Sequence, residues 1–308
     1  MRLCQKERPT TNFQTMRRAL ELIMSWRSAS EPNGISSSAA YSDAETTDCQ
    51  VNVYNFKKLQ SRPPSKFQTI RFDPNNDCNL RCVYCHNHRS NEVIDTEEFR
   101  AFIHRKVVST SEFQVGCIME PTLDSRLADL LLMVADSPAK PQTVFSLQTN
   151  GILLHRHDYS KMKDAGLDQL QVSLDTADPG MQRSLRSGMS LQKVLRNIEG
   201  FHRACPEIAI VLVATVTSEN VGNAEDLIPL GLDVGARRFV FREVFYHPEN
   251  NVVDHARMPG LLLKPGDFSA MREKILERFA GSDATFEFAD ENFLDKSAQK
   301  MLKDSGRA

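Results

Sequence analysis

Cys78, Cys82 and Cys85 stand in the stretch "DCNLRCVYCHNH" with three and then two residues between them. Thiolates this close can hold zinc, a haem or an iron–sulfur cluster, and the spacing alone admits all of these. Structural zinc takes four N or S ligands in a closed tetrahedron, which these cysteines plus His86 or His88 could supply. Zinc modules usually draw ligand pairs from two knuckles, and no second pair follows here. "CVYCH" matches the haem-attachment signature C-x-x-C-H. That reading leaves Cys78 unused, and the chain opens on no export pattern. A cubane cluster takes one thiolate per iron. Three cysteines leave one iron without a protein ligand, and an open coordination position marks a metal site that does chemistry rather than structure.

Such a loop needs a scaffold. From Phe67 onward the pattern alternates strand and helix. "FQTIRF", "EFQVGCI", "TVFSLQTN", "LDQLQVSLD", "IAIVLVATV" and "RRFVFREV" read as strands. Helical stretches fall at 95–109, 125–135, 159–165, 182–202 and 223–230. The apolar run "LADLLLMVA" reads as a buried helix. Several strands are continuous rather than alternating apolar runs, which suits parallel strands buried on both faces. The fold expected is α/β, a partial (β/α)6 TIM-like barrel at 65–245, with an N-terminal extension at 1–64 and a short C-terminal cap at 246–308. The extension holds one amphipathic helix (Phe13, Met16, Leu20, Ile23, Met24) and then a Ser- and acid-rich linker that reads as disordered. In the cap, 267–280 reads as a helix and "ATFEF" as a short strand.

The cysteine loop, with Tyr84 just before its last cysteine, resembles the signature of the radical S-adenosylmethionine (SAM) superfamily. "TNG" after the third predicted strand, "VSLD" at the fourth and the stretch "RSLRSGMSLQKVLRNIEGF" are similar to that family too, so the likeness runs from about Phe67 to Glu243. The resemblance implies one [4Fe-4S] cluster on Cys78, Cys82 and Cys85, with SAM chelating the fourth iron. An electron then cleaves SAM to a 5′-deoxyadenosyl radical, which abstracts hydrogen from a substrate. It also implies an external one-electron donor such as a flavodoxin or ferredoxin.

The same resemblance distributes roles along the strand ends. Tyr84 would lie near the adenine. Glu120 would receive the ammonium of SAM, although "IMEP" replaces the family's Gly-Gly-Glu-Pro run and Ile118 and Met119 stand where glycines let backbone approach a ligand. Thr149 and Asn150 would bond the methionine end or shape its pocket, Asn-Gly being also a common turn pair. Ser173 and Asp175 match the ribose-contacting positions. Asn220 fits the family and fits a helix cap equally. Arg242 could bind the SAM carboxylate or a substrate anion. No catalytic residue is assigned, and the one candidate is Cys117, as a hydrogen donor to a substrate radical.

Composition bounds the rest. The 308 residues carry 25% charged and 41% hydrophobic side chains and a formal net charge of −2. No basic field points to nucleic acid, and no apolar run is long enough to span a bilayer. With an odd number of cysteines, seven, one tight cluster among them, the chain is expected in a reducing compartment, the cytoplasm. No cysteine follows Cys205, so the cysteine-rich C-terminal domain of many peptide-modifying relatives is not expected. The substrate is left open between a small molecule and a peptide. The competing reading is a non-catalytic metal-binding or electron-transfer protein built on the same cysteines; a family member that binds SAM without cleaving it is another.

Overall fold

The computed structural model describes residues 47–289, apart from 54–55, 247–251 and 253. The amphipathic helix expected within 13–24, most of the linker and the polar tail lie outside the described residues. The strands are β1 (Thr47–Val51), β2 (Ser65–Phe72), β3 (Arg81–Cys82), β4 (Val107–Val115), β5 (Val144–Thr149), β6 (Gln169–Ser173), β7 (Arg186–Ser187), β8 (Ala209–Val216), β9 (Ala236–Glu243) and β10 (Thr285–Ala289). Eight of them form one sheet in the order β1-β2-β4-β5-β6-β8-β9-β10, every neighbour parallel. The architecture is the α/β partial barrel expected. Its six anticipated strands lie consecutively in the middle, and each edge carries one more. β1 comes from the end of the expected linker. β10 is the short strand foreseen in the cap, and it pairs with β9.

Parallel neighbours require crossovers, and helices supply them. They are α1 (Phe56–Gln60), α2 (Thr96–Lys106), α3 (Leu127–Ala135), α4 (Tyr159–Asp164), α5 (Pro179–Leu185), α6 (Leu191–Ala204), α7 (Leu227–Asp233), α8 (Met258–Leu261) and α9 (Asp267–Arg278). α2 starts on Asp95, whose side chain accepts the Glu98 N–H at 2.9 Å, and ends on His104, Arg105 and Lys106. It stops before the expected residue 109 because Val107, Val108 and Thr110 are β-branched and are drawn into β4. The expected helix at 182–202 is two helices. Arg186 and Ser187 leave α5 to pair antiparallel with Arg81 and Cys82, and Gly188, at φ +95°, turns the chain toward α6.

Alternation along each strand separates two environments. Phe72, Phe113 and Phe145 pack toward the helices; Phe72 stacks on Phe99 of α2 with centroids 4.1 Å apart, and Phe113 meets Phe145 edge-on at 5.8 Å. The opposite face carries Thr69, Arg71, Glu112, Gln114 and Gln148 on β2, β4 and β5, with a small apolar group of Val211, Val213 and Val240 on β8 and β9. Carboxyl ends of neighbouring parallel strands share one edge, so loops leaving them meet there.

α7 approaches the sheet at Gly231, where an added Cβ would lie 2.5 Å from Phe239 Cε1 and 2.8 Å from Leu212 Cδ1. Both neighbours are fully buried. Gly231→Ala should cost about 1–3 kcal/mol of stability through overpacking. The check is a lower denaturant midpoint at unchanged slope.

Candidate active site

A cavity of about 330 Å³ opens among the carboxyl ends of the strands. The cysteine loop forms one wall, with Cys78, Cys82, Tyr84 and Cys85. Cys117–Glu120, Gln148–Asn150, Ser173, Thr215 and Arg242–Phe245 form the others. Three ties hold the loop. Cys82 lies in the β3–β7 ribbon facing Arg186, the Cys78 N–H donates to Asp77 Oδ1 at 2.7 Å, and Arg89 Nη1 donates to the Cys78 carbonyl at 2.9 Å. Burial raises the Cys78 thiol and pushes that of Cys82 up to about 11, so metal uptake must displace protons here. Among the described residues no three His, Cys, Asp or Glu side chains converge on one metal ion. A cubane needs no such convergence, because its thiolates sit on different irons. Three sulfur donors beside an open cavity fit a cluster with one iron left free. His86 stacks on Phe245 with centroids 5.0 Å apart, and His88 is exposed.

Glu120 is buried, with its carboxylate turned to the cavity wall. Oε1 accepts the Thr122 N–H and hydroxyl and the Thr149 hydroxyl at 2.6 Å, whereas among the described residues Oε2 accepts only the Asn150 N–H at 2.7 Å. Oε2 therefore keeps capacity for one further donor. Burial raises the Glu120 pKa against the pull of these bonds. Asn150 donates from Nδ2 to Asn79 Oδ1 at 2.7 Å and lies 4.0 Å from Cys78 Sγ. Thr149 and Asn150 thus join Glu120 to the cysteine loop.

Ile118 and Met119 are accommodated by a residue the sequence reading missed. Asp73 Oδ1 accepts the backbone N–H groups of Cys117 (2.9 Å), Ile118 (3.2 Å) and Met119 (3.1 Å). The close-approach glycine of this loop is Gly116. It sits at φ +79°, and a Cβ there would lie 2.1 Å from the Gln148 carbonyl.

Asp175 turns inward. It is fully buried, absent from the cavity wall, and spent within the protein. Arg186 grips it with two bonds, Nε to Oδ2 at 2.8 Å and Nη2 to Oδ1 at 2.9 Å. The Thr215 N–H donates to Oδ1 at 2.9 Å and the Tyr84 hydroxyl to Oδ2. β6 ends at Ser173, so alternation no longer governs where Asp175 points. A sugar contact expected of Asp175 therefore has no free oxygen to use, and Tyr84 is tied by its hydroxyl rather than loose over the cavity. Ser173 lines the cavity. Asn220 neither lines it nor caps through its side chain. Its amide donates to the carbonyls of Asp175 and Thr215, both at 2.9 Å, and accepts the Thr217 N–H at 2.7 Å. Cys117 lines the cavity as a thiol, pushed up to about 11 by burial and then by Asp73. Arg242 makes no ion pair among the described residues; its charged neighbours are Cys117, Arg71 and Glu287.

An open parallel sheet with three cysteines in a loop at its carboxyl edge defines a class, and residues 73–228, just over half the chain, match the model of the radical SAM superfamily. The chain belongs to that family. It is similar to a probable GTP 3′,8-cyclase of Methanococcus maripaludis strain C7, 34% identical over 145 residues, 46% of this chain and 47% of that one. A probable GTP 3′,8-cyclase of Methanococcus aeolicus is 31% identical over 227 residues, 71% and 64% of the two chains. The chain thus spans about half the length of the first of these curated relatives. Streptococcus suis SuiB, solved bound to S-adenosylmethionine, shares the fold with a TM-score of 0.56 at 16% identity, over 78% of this chain and 53% of that one. Among the described residues no helix is long and apolar enough to cross a membrane.

Burial also lifts the pKa of Asp73 above the ordinary aspartate value, against its three N–H bonds. A carboxyl with a raised folded pKa holds its proton more tightly in the native state, so native stability falls as pH climbs from the unfolded value to the folded one. Asn does not titrate. The unfolding free energy of the wild type minus that of Asp73→Asn should therefore fall as pH rises from about 4 and then level off. Parallel denaturation series across pH check this, and a flat difference would count against it.

Proposed function

We propose that this chain is a radical SAM enzyme that holds one [4Fe-4S] cluster on Cys78, Cys82 and Cys85 and binds SAM beside it. The observation that carries the reading is the convergence of those cysteines on one cavity with Glu120, Thr149, Asn150 and Ser173. When bound, the cluster supplies the electron that cleaves SAM and so starts hydrogen abstraction from the substrate. The chain's own residues do the positioning. Glu120 Oε2 offers a lone pair to an ammonium, a charge-assisted contact. The Ser173 hydroxyl is free to meet a polar ligand group, and the Asn150 amide is held between Asn79 and Cys78. Tyr84, anchored to Asp175, keeps the end of the cysteine loop against the sheet. Cys117 retains its S–H at neutral pH and is the remaining thiol on the cavity wall, which suits it to return a hydrogen atom if the reaction needs one. An external one-electron donor such as a flavodoxin or ferredoxin completes the set.

The substrate this reading favours is a purine nucleoside triphosphate such as GTP. The similarity to probable GTP 3′,8-cyclases suggests it, and the site adds a physical reason. Arg242 lines the cavity and makes no ion pair among the described residues, although Arg71 and Glu287 both act on its charge. A guanidinium on the cavity wall with no ion pair of its own suits an anion.

The test uses anaerobically reconstituted protein. About four irons per chain are expected, with 5′-deoxyadenosine formed from SAM under dithionite and both lost in Cys82→Ala. Zinc in place of iron would overturn the family chemistry, and intact SAM beside a good cluster would leave only the scaffold. GTP should be consumed, and Arg242→Gln should raise its KM about tenfold or more. Nucleoside formation with GTP untouched removes the substrate assignment alone.

A further inference from the structure

We propose that the buried Arg186–Asp175 pair is an electrostatic positioning element for the cysteine loop, its positive end set against Cys82 so that it raises the reduction potential of the cluster. The inference rests on the cluster reading above and concerns a charge pair to which that reading gives no electrostatic role. Arg186 and Cys82 are direct partners across the antiparallel ribbon, and the Val83 N–H donates to the Leu185 carbonyl at 2.9 Å beside them. Arg186 shares the cavity wall with Cys82, whereas Asp175 is fully buried behind it and off that wall. The pair is therefore a dipole directed at the cysteine. Its geometry is over-determined. The guanidinium makes two bonds to the carboxylate, its carbon lies 5.6 Å from the centroid of the Tyr84 ring, and the Tyr84 hydroxyl closes back onto Asp175.

A buried ion pair is a poor source of net stability, because desolvation offsets most of its attraction. Charge at a fixed place is what it supplies. A cluster gains one negative charge on reduction, and a nearby cation in a low-dielectric site favours that state. Two substitutions then have opposite signs. Arg186→Gln removes the cation and should shift the potential to more negative values, whether or not Asp175 takes up a proton. Asp175→Asn leaves the guanidinium uncompensated and should shift it to more positive values. Arg89 and Glu120, the other charges near the cysteines, are unchanged in both variants.

The experiment is a spectroscopically monitored redox titration of the reconstituted full chain without SAM, with iron counted in each sample. The expected order, from high to low potential, is Asp175→Asn, then wild type together with Arg186→Lys, then Arg186→Gln. If the pair only glues the loop in place, both removals loosen it and shift the potential the same way, and that result, or no shift at all, overturns the inference. Should Asp175→Asn and Arg186→Gln fail to hold iron, Arg186→Lys decides. A potential matching wild type carries the charge assignment, and a displaced one overturns it. Wild-type protein that takes up no iron instead overturns the cluster reading itself.

Discussion

A carboxylate shut away from water draws its hydrogen bonds from the chain, and the site of this protein is organised by three of them, although Asp73 Oδ2 has no partner among the described residues. Asp175 collects the Arg186 guanidinium, the Tyr84 hydroxyl and the Thr215 N–H, which come from β7, the cysteine loop and β8. Glu120 collects Thr122, Thr149 and Asn150. Asp73 collects three successive N–H groups after β4. An acceptor without water is costly to leave unpaired, so each carboxylate fixes the loops that feed it. The sheet brings the loops to one edge. The carboxylates decide how they lie there.

The supporting strands were legible because parallel strands buried on both faces are written locally, as in "IAIVLVATV", which becomes β8 with five consecutive buried residues. β1 was not. "TDCQV" sits in a polar, small-residue context, and only its pairing with β2 makes it a strand. The break between α5 and α6 was hidden for a similar reason. Arg186 and Ser187 leave helical structure for partners about a hundred residues earlier, a distance no local window spans.

The site divides along the same line. The cysteines stand out by type and spacing, and the resemblance pointed to Glu120, Thr149, Asn150 and Ser173, which line the same cavity. The inward turn of Asp175 was not legible, because a carboxylate just past a strand end looks the same in sequence whether it faces a ligand or turns inward. The deciding fact, that β6 stops at Ser173, is set by pairing with β8. Asp73 and Arg186 carry no local signature. Asp73 acts on a backbone 44 residues away, and Arg186 acts through a ribbon formed only in the folded chain.

Ile118 and Met119 now have a physical setting. The loop that carries them is joined to the cysteine segment by side-chain amides: Asn75 Nδ2 donates to the Glu120 carbonyl at 3.0 Å and Asn87 Nδ2 to the Ile118 carbonyl at 3.3 Å, while Asn150 Nδ2, after β5, donates to Asn79 at 2.7 Å. The Glu120 N–H donates in turn to the Asp77 carbonyl at 3.0 Å. These links bear no net charge, so they hold two cavity walls together without setting the field between them. The field is left to Glu120, Arg186, Arg242, Arg89 and Glu243, the acidic and basic side chains that share the wall with the cysteine loop. Neutral cross-links with few charges is the arrangement expected where polar groups are oriented before a ligand arrives. On that view the cavity persists with Ile118 and Met119 on its wall, because Gly116 and Asp73 shape the loop that carries them.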